Sequence, residues 1–181
     1  MTYVKQTDLA PYTLHPATQT QMLRRLAMFW DGQWFLKSVE TLGLEAAIAL
    51  NARVRTSFGR MEMRTMLRAV GKDRADNLAD ALRLIMTHGQ LLLGDGLMAE
   101  IYQDGEEGAY LVVHRCAAYE GAKLARLPRS DAPCVACETL WAAWLETLLP
   151  EQAVTVEYPR RQGRGSPDCL FAITVQPSSA R

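Results

Sequence analysis

The sequence predicts an α+β fold in which an N-terminal helical layer packs on a four-stranded antiparallel sheet of β-β-α-α-β-β order. Three observations predict it. Long runs between Pro16 and Met86 are good helix formers with apolar residues at helical spacing. From Gly89 onward glycines become frequent, with β-branched and aromatic runs between them. Four short strands cannot bury both faces of a sheet by themselves, so helices must cover one face. A chain of 181 residues suits one such domain and buries about two-thirds of its unfolded surface, so folding requires neither a metal nor a disulfide. The expected organisation is an N-terminal extension at 1–16, a single domain at 17–176 (helical half 17–88, sheet half 89–176) and a frayed tail at 177–181.

Each element has a local reason. Leu23, Leu26, Ala27, Trp30, Trp34 and Val39 approximate the buried stripe of a first helix, with Thr18 or Thr20 as its cap and Gly43 as its left-handed end. Leu44 to Val70 forms a second helix stopped by Gly71. Asp73 caps a third, reaching Met86, with Leu78, Ala81, Leu82 and Ile85 on one face. Strands at Leu97 to Gln103 and Ala109 to Arg115 form a hairpin across the turn Asp104-Gly105-Glu106-Glu107-Gly108. Ala117 to Leu127 is a short helix ended by Pro128. Cys134 to Leu149 is an amphipathic one, through Leu140, Trp141, Trp144, Leu145 and Leu148, and Pro150 stops it. The last strands, Ala153 to Tyr158 and Cys169 to Val175, flank a polar loop that holds Arg160, Arg161 and Arg164.

Composition excludes some functions. Twenty basic side chains balance twenty acidic ones, and a pI near 6.8 lacks the basic excess that phosphate neutralisation needs, so no nucleic-acid partner is expected. Met1 to Pro16 lacks the basic flank and apolar core of a secretory signal, which leads us to expect a cytoplasmic protein. No apolar run approaches the ~20 residues of a membrane span. The expected partner is a small-molecule ligand, and a homodimer is compatible with the chain.

Cysteine carries the main chemical signal. Cys116 follows the second strand, Cys134 and Cys137 open a helix as a CxxC, and Cys169 opens the last strand. The ends of these elements can converge, and a helix N-terminus favours thiolate, the form that ligates metal and attacks carbonyls. Four such ligands suit a tetrahedral zinc site. A reactive thiol without metal and inert packing as small hydrophobes are the other two readings. His114, two residues before Cys116, shares its face if the strand is regular, giving a ligand pair or a base beside a thiol; a strand histidine bonded to a neighbour is the alternative. His15 and His88 carry no expected role.

A second constellation lies on the first two helices, in Trp30-Asp31-Gly32-Gln33-Trp34-Phe35 and Phe58-Gly59-Arg60-Met61-Glu62-Met63-Arg64. A carboxylate among buried aromatics needs a partner. Asp31 is expected to meet Arg60 or Arg64, and Glu62 to meet Arg24 or Arg25, unless these acids face a pocket as functional groups. Gly94-Asp95-Gly96 lacks the strand-to-helix setting of a nucleotide fingerprint, and Gly163 and Gly165 lack the ending of a phosphate loop. Arg160, Arg161 and Arg164 are either a solvated loop or an attractor of an anionic ligand.

The run Trp30-Asp31-Gly32-x-Trp34-Phe35, with Gly43-Leu44-Glu45-Ala46-Ala47 and Phe58-Gly59-Arg60-x-Glu62-x-Arg64, resembles a family of uncharacterised bacterial and archaeal proteins related to the aminothiazoline-carboxylate-hydrolase-like proteins. The likeness extends from about Leu26 to Phe171 and includes Cys116, Pro133-Cys134 and Cys169-Leu170-Phe171. It departs at Tyr158-Pro159-Arg160, where that family has a cysteine that Cys137 replaces at most in part. The β-β-α-α-β-β half is also similar to the 4-vinyl reductase domain, whose relatives share a fold with haem nitric-oxide sensors and a Golgi transport component. The resemblance implies a small-molecule-binding domain with a cysteine cluster at one end, formed by Cys116, Cys134, Cys137 and Cys169 with zinc as its metal. It further implies a ligand site between helices and sheet, lined by Trp30, Asp31, Trp34 and Arg160.

As an enzyme, such a protein would hydrolyse a small sulfur- or nitrogen-containing carboxylate. Cys134 or a metal-bound water would attack and His114 or Glu62 would move the proton. The alternative is a sensor or carrier of a lipophilic ligand. A third reading, an assembly subunit, predicts a large exposed apolar patch and no pocket.

Overall fold

The computed structural model describes residues 12–177; the expectations for residues 1–11 and 178–181 lie outside them. Helix α1 (Pro16–Leu42) starts with Pro16 at its first position and His15 as its cap, the His15 ring nitrogen accepting from Ala17 N–H at 3.3 Å. The cap is therefore His15 rather than Thr18 or Thr20. Gly43, at φ 82°, ends α1 and begins α2 (Leu44–Ala69) in a single residue, a conformation that a side chain would oppose. Gly71 then stops α2 in a Schellman closure, Lys72 N–H reaching Leu67 C=O at 2.9 Å.

Helix α3 spans Leu78–Leu93 and is capped by Asn77, which accepts from Asp80 N–H at 2.9 Å. The expected cap at Asp73 lies four residues too early, because residues 71–77 form a connection tied to the rest of the chain by Ala75 N–H on Leu148 C=O. The helix also continues through Gly89, which packs against Leu97. Strand β1 (Leu97–Asp104) and strand β2 (Gly108–Cys116) form the expected hairpin. Helices α4 (Ala117–Leu124) and α5 (Ala132–Leu148) lead to β3 (Gln152–Arg160) and β4 (Cys169–Pro177).

All neighbouring strands are antiparallel, in the order β1-β2-β4-β3. The inner face carries Ala109, Leu111 and Val113 of β2 and Phe171, Ile173 and Val175 of β4, all buried. Trp141, Trp144, Leu145 and Leu148 of α5 and Leu78, Leu82 and Ile85 of α3 belong to the same core. Helix α2 packs on α5 through a close approach at Gly59, where an added Cβ would stand 2.7 Å from a Leu140 methyl and 3.2 Å from the Trp144 ring. Helix α1 is outermost, touching α2 and α3, and buries no residue completely.

Candidate functional site

Three regions hold the residues that the sequence singled out. The first is the end of the sheet where β2 finishes and β4 begins. Val113 pairs with Cys169 across these strands, and Leu97 stands opposite Cys116. Cys134 and Cys137 occupy the first turns of α5, and a 3-10 turn, Gln162–Arg164, packs against them. Gly163 is required there, since a Cβ on it would lie 2.8 Å from both Cys134 Sγ and Asp131 Cα. Gln162 N–H donates to Cys169 Sγ at 3.3 Å, and the buried Gln162 amide donates to His114 C=O and Pro167 C=O. Ser130 Oγ–H donates to Gly163 C=O at 2.7 Å.

All four cysteines are free and partly buried. Burial pushes the thiols of Cys134, Cys137 and Cys169 up, Cys137 furthest, and neighbouring cysteines push in the same direction. The Gly163 and Gln162 N–H groups and Arg161 pull the other way without reversing the outcome. Desolvation thus outweighs the helix N-terminus, and these thiols are neutral at physiological pH. Among the described residues no three His, Cys, Asp or Glu side chains stand where they could hold one metal ion. The four-cysteine zinc centre expected from Cys116, Cys134, Cys137 and Cys169 is therefore not preformed.

His114 does not face the thiols. Met98 pairs with Arg115 and Ala99 with Val113, so His114 is the extra residue of a β-bulge. The bulge reverses the alternation of side chains, turning Cys116 toward the core while His114 stays on the outer face, 3.5 Å from Glu100. The shared face expected from regular strand spacing is lost for that reason. Arg160 pairs with Asp168 at 2.7 Å. Its neighbour Arg161, which the sequence left among loop arginines, is the inward one, paired with Glu138 and stacked 4.6 Å over Tyr158.

The second region lies between α2, α3 and α5. Glu62 is buried and accepts from Trp144 Nε1–H at 2.8 Å. His88 Nε2 lies 3.2 Å from Glu62 Oε1 but out of line for a hydrogen bond, which leaves that buried nitrogen without a hydrogen-bond partner. The His88 and Trp144 rings meet edge to face at 5.7 Å. Glu62 therefore has His88 and Trp144 as neighbours instead of Arg24 or Arg25. Arg24 is occupied elsewhere, donating to Leu91 C=O at 2.6 Å. His88 had no signal beyond its type, because only the packing of α3 on α2 reveals the pair. Cys134, His114 and Glu62 sit at a sheet end, on the outer sheet face and between helices, so the structure does not bring them together.

The third region is the outer side of α1. Its partly buried side holds Arg24, Met28, Phe35, Ser38 and Val39, while Leu23, Leu26, Phe29, Trp30 and Trp34 are 67%, 58%, 61%, 75% and 56% exposed. Of the stripe expected to be buried, Val39 lies on the covered side, while Leu23, Leu26, Trp30 and Trp34 point outward, since α2 and α3 cover the opposite side. Trp30 and Trp34 consequently line no space between helices and sheet. Asp31 pairs with Arg55 rather than Arg60 or Arg64, because the helical hairpin turns at Gly43, midway between positions 31 and 55. On α2, Leu50, Val54, Phe58 and Met61 line a shallow apolar groove. A second shallow cleft, more polar, is lined by Arg60, Arg64, Asp73 and Glu146. Among the described residues no helix is long and apolar enough to cross a membrane.

No family model matches the chain, and no curated protein matches it. Solved structures do. An H-NOX protein from S. oneidensis in the Fe(II)NO ligation state aligns at TM-score 0.44 and 15% identity, over 73% of this chain and 71% of that one. A trafficking protein particle complex subunit 3 from Naegleria fowleri, covalently bound to palmitic acid, aligns at TM-score 0.54 and 13% identity. That alignment spans 86% of this chain and 96% of the other, so the two share the fold across nearly their whole length.

Proposed function

We propose that the chain works as a subunit of a protein assembly, with the outer side of α1 as its docking face. One observation carries this reading: the side of α1 that the chain leaves uncovered is an apolar stripe of Met22, Leu23, Leu26, Phe29, Trp30 and Trp34. Monomers rarely leave contiguous apolar patches beyond a few hundred Å² in water. The similarly folded protein is itself named as a subunit of a complex. The test is the native size of the tagged chain in unfractionated extract of its own cells. A mass above one chain for the wild type, reduced to one chain by Trp30→Asp, supports the reading. A single-chain mass for both proteins defeats it.

A second reading, the binding of a small lipophilic ligand, is favoured by the neutral thiols beside Tyr158 and Phe171 at one end of the core, and by the covalent palmitate of the similarly folded protein. Intact-mass spectrometry of the purified protein, with and without hydroxylamine, tests it. An added mass removed by hydroxylamine identifies a thioester. An extract-purified chain of unmodified mass that also fails to take up fatty acid removes this reading. Hydrolysis by Cys134, His114 and Glu62 gains no comparable support, since His114 faces away from the thiols, Glu62 lies between helices and the thiol is neutral.

A further inference from the structure

We propose that the partner on α1 is a second copy of this chain, the two α1 helices crossing antiparallel about a twofold axis through Met22, Leu23, Leu26, Phe29, Trp30 and Trp34. The proposal rests on the assembly reading and names its partner. Area is the first argument. From their exposures, these six side chains together leave on the order of 700 Å² of mainly apolar surface in water, close to the ~800 Å² that one side of a standard interface buries. The stripe from Met22 to Trp34 is ~18 Å long at the rise of an α-helix, so an antiparallel pair brings it against its own copy over that length.

Charge is the second argument. A twofold interface lays a patch on itself, so any net charge within it is opposed by its own copy. The stripe itself contains no charged side chain. At its C-terminal end Lys37 and Glu40 neutralise each other at 2.7 Å, and at its edge Arg25 lies over the Phe29 ring at 5.9 Å. The whole chain has a formal net charge of zero, so two copies approach without long-range repulsion. A lipid surface is a poorer occupant, because a membrane-lying helix opposes its apolar side with a basic, solvated one. Here the opposite side of α1 packs on α2 and α3.

Sedimentation equilibrium of the purified full chain tests the proposal. The expected mass is twice 20.2 kDa, falling to that of one chain in Leu26→Asp with an unchanged far-ultraviolet spectrum, because Leu26 is exposed within the chain. Acrylamide quenching of the wild type gives a reading independent of any variant. Trp30 and Trp34 are shielded in the dimer, so quenching is weak at high concentration and rises as dilution lowers the mass. A single-chain mass at every concentration, or a Leu26→Asp variant that keeps the doubled mass, overturns the proposal. Single chains that cosediment with phosphatidylcholine–phosphatidylserine vesicles overturn it in favour of a lipid surface. A purified single chain that is larger in cell extract, in a manner lost with Trp30→Asp, overturns the twofold pairing and leaves the assembly reading standing. A single chain in both settings removes both.

Discussion

Gly163→Ala is the sharpest probe of how the thiol end is built. The new Cβ would lie 2.8 Å from Asp131 Cα, 2.8 Å from Cys134 Sγ and 2.9 Å from Ser130 C=O. Two of these three atoms belong to the backbone that leads into α5, so no rotamer change relieves the overlap. The 3-10 turn must retreat, stretching the 2.7 Å Ser130–Gly163 and 3.3 Å Gln162–Cys169 hydrogen bonds. Overpacking costs about 1–3 kcal/mol and a weakened hydrogen bond about 1 kcal/mol, so a loss of about 2–4 kcal/mol is expected. Urea denaturation measures it as a lower midpoint at constant slope, and Cys134 and Cys169 should be alkylated faster than in the wild type. A loss under about 0.5 kcal/mol, within the range of ordinary surface substitutions, with thiol protection unchanged, would refute the close approach of the turn to α5.

Other expectations follow from the same contacts. Trp144→Phe removes the donor to buried Glu62 Oε2 and should cost about 1–3 kcal/mol in urea denaturation, the penalty for leaving a buried acceptor without its partner. At neutral pH the thiols of Cys134, Cys137 and Cys169 should react with iodoacetamide more slowly than a free thiol, Cys137 slowest, with rates still climbing above pH 9. The Lys72 hydrogen bond, more than any other influence, holds the Asp80 carboxyl below its ordinary value of 3.8. A depressed folded value gives stabilisation that is complete above the ordinary range and lost as pH falls through the lower folded value. Thermal stability should therefore drop below about pH 4, and Asp80→Asn should lower it at pH 7 and flatten that drop.

Much of the fold was legible because its signals are local. Pro150 and the Asp104–Gly108 turn announce where α5 and β1 end. The start of α3 was not legible, since Asp73, Asp76 and Asn77 are all capping types and the choice among them depends on the connection held by Ala75 on Leu148. The outer stripe of α1 was visible as apolar, but periodicity cannot tell a side that faces the core from one left for a partner. Arg24, Met28 and Val39 on the opposite side show which one the chain covers. The bulge at His114 had no sequence mark, and it separates a histidine and a cysteine that a regular strand would have joined. Glu62 was recognised as an acid in need of a partner, yet its neighbours come from α3 and α5, more than twenty residues away, where no spacing rule reaches.

The most direct measurement of the twofold pairing through α1 is light scattering of the purified wild type beside Leu26→Asp. Pairing through α1 gives twice the 20.2 kDa chain mass for the wild type and one chain for the variant, both equally helical. A wild type that scatters as one chain, with Trp30 and Trp34 open to quencher at every concentration, would contradict it.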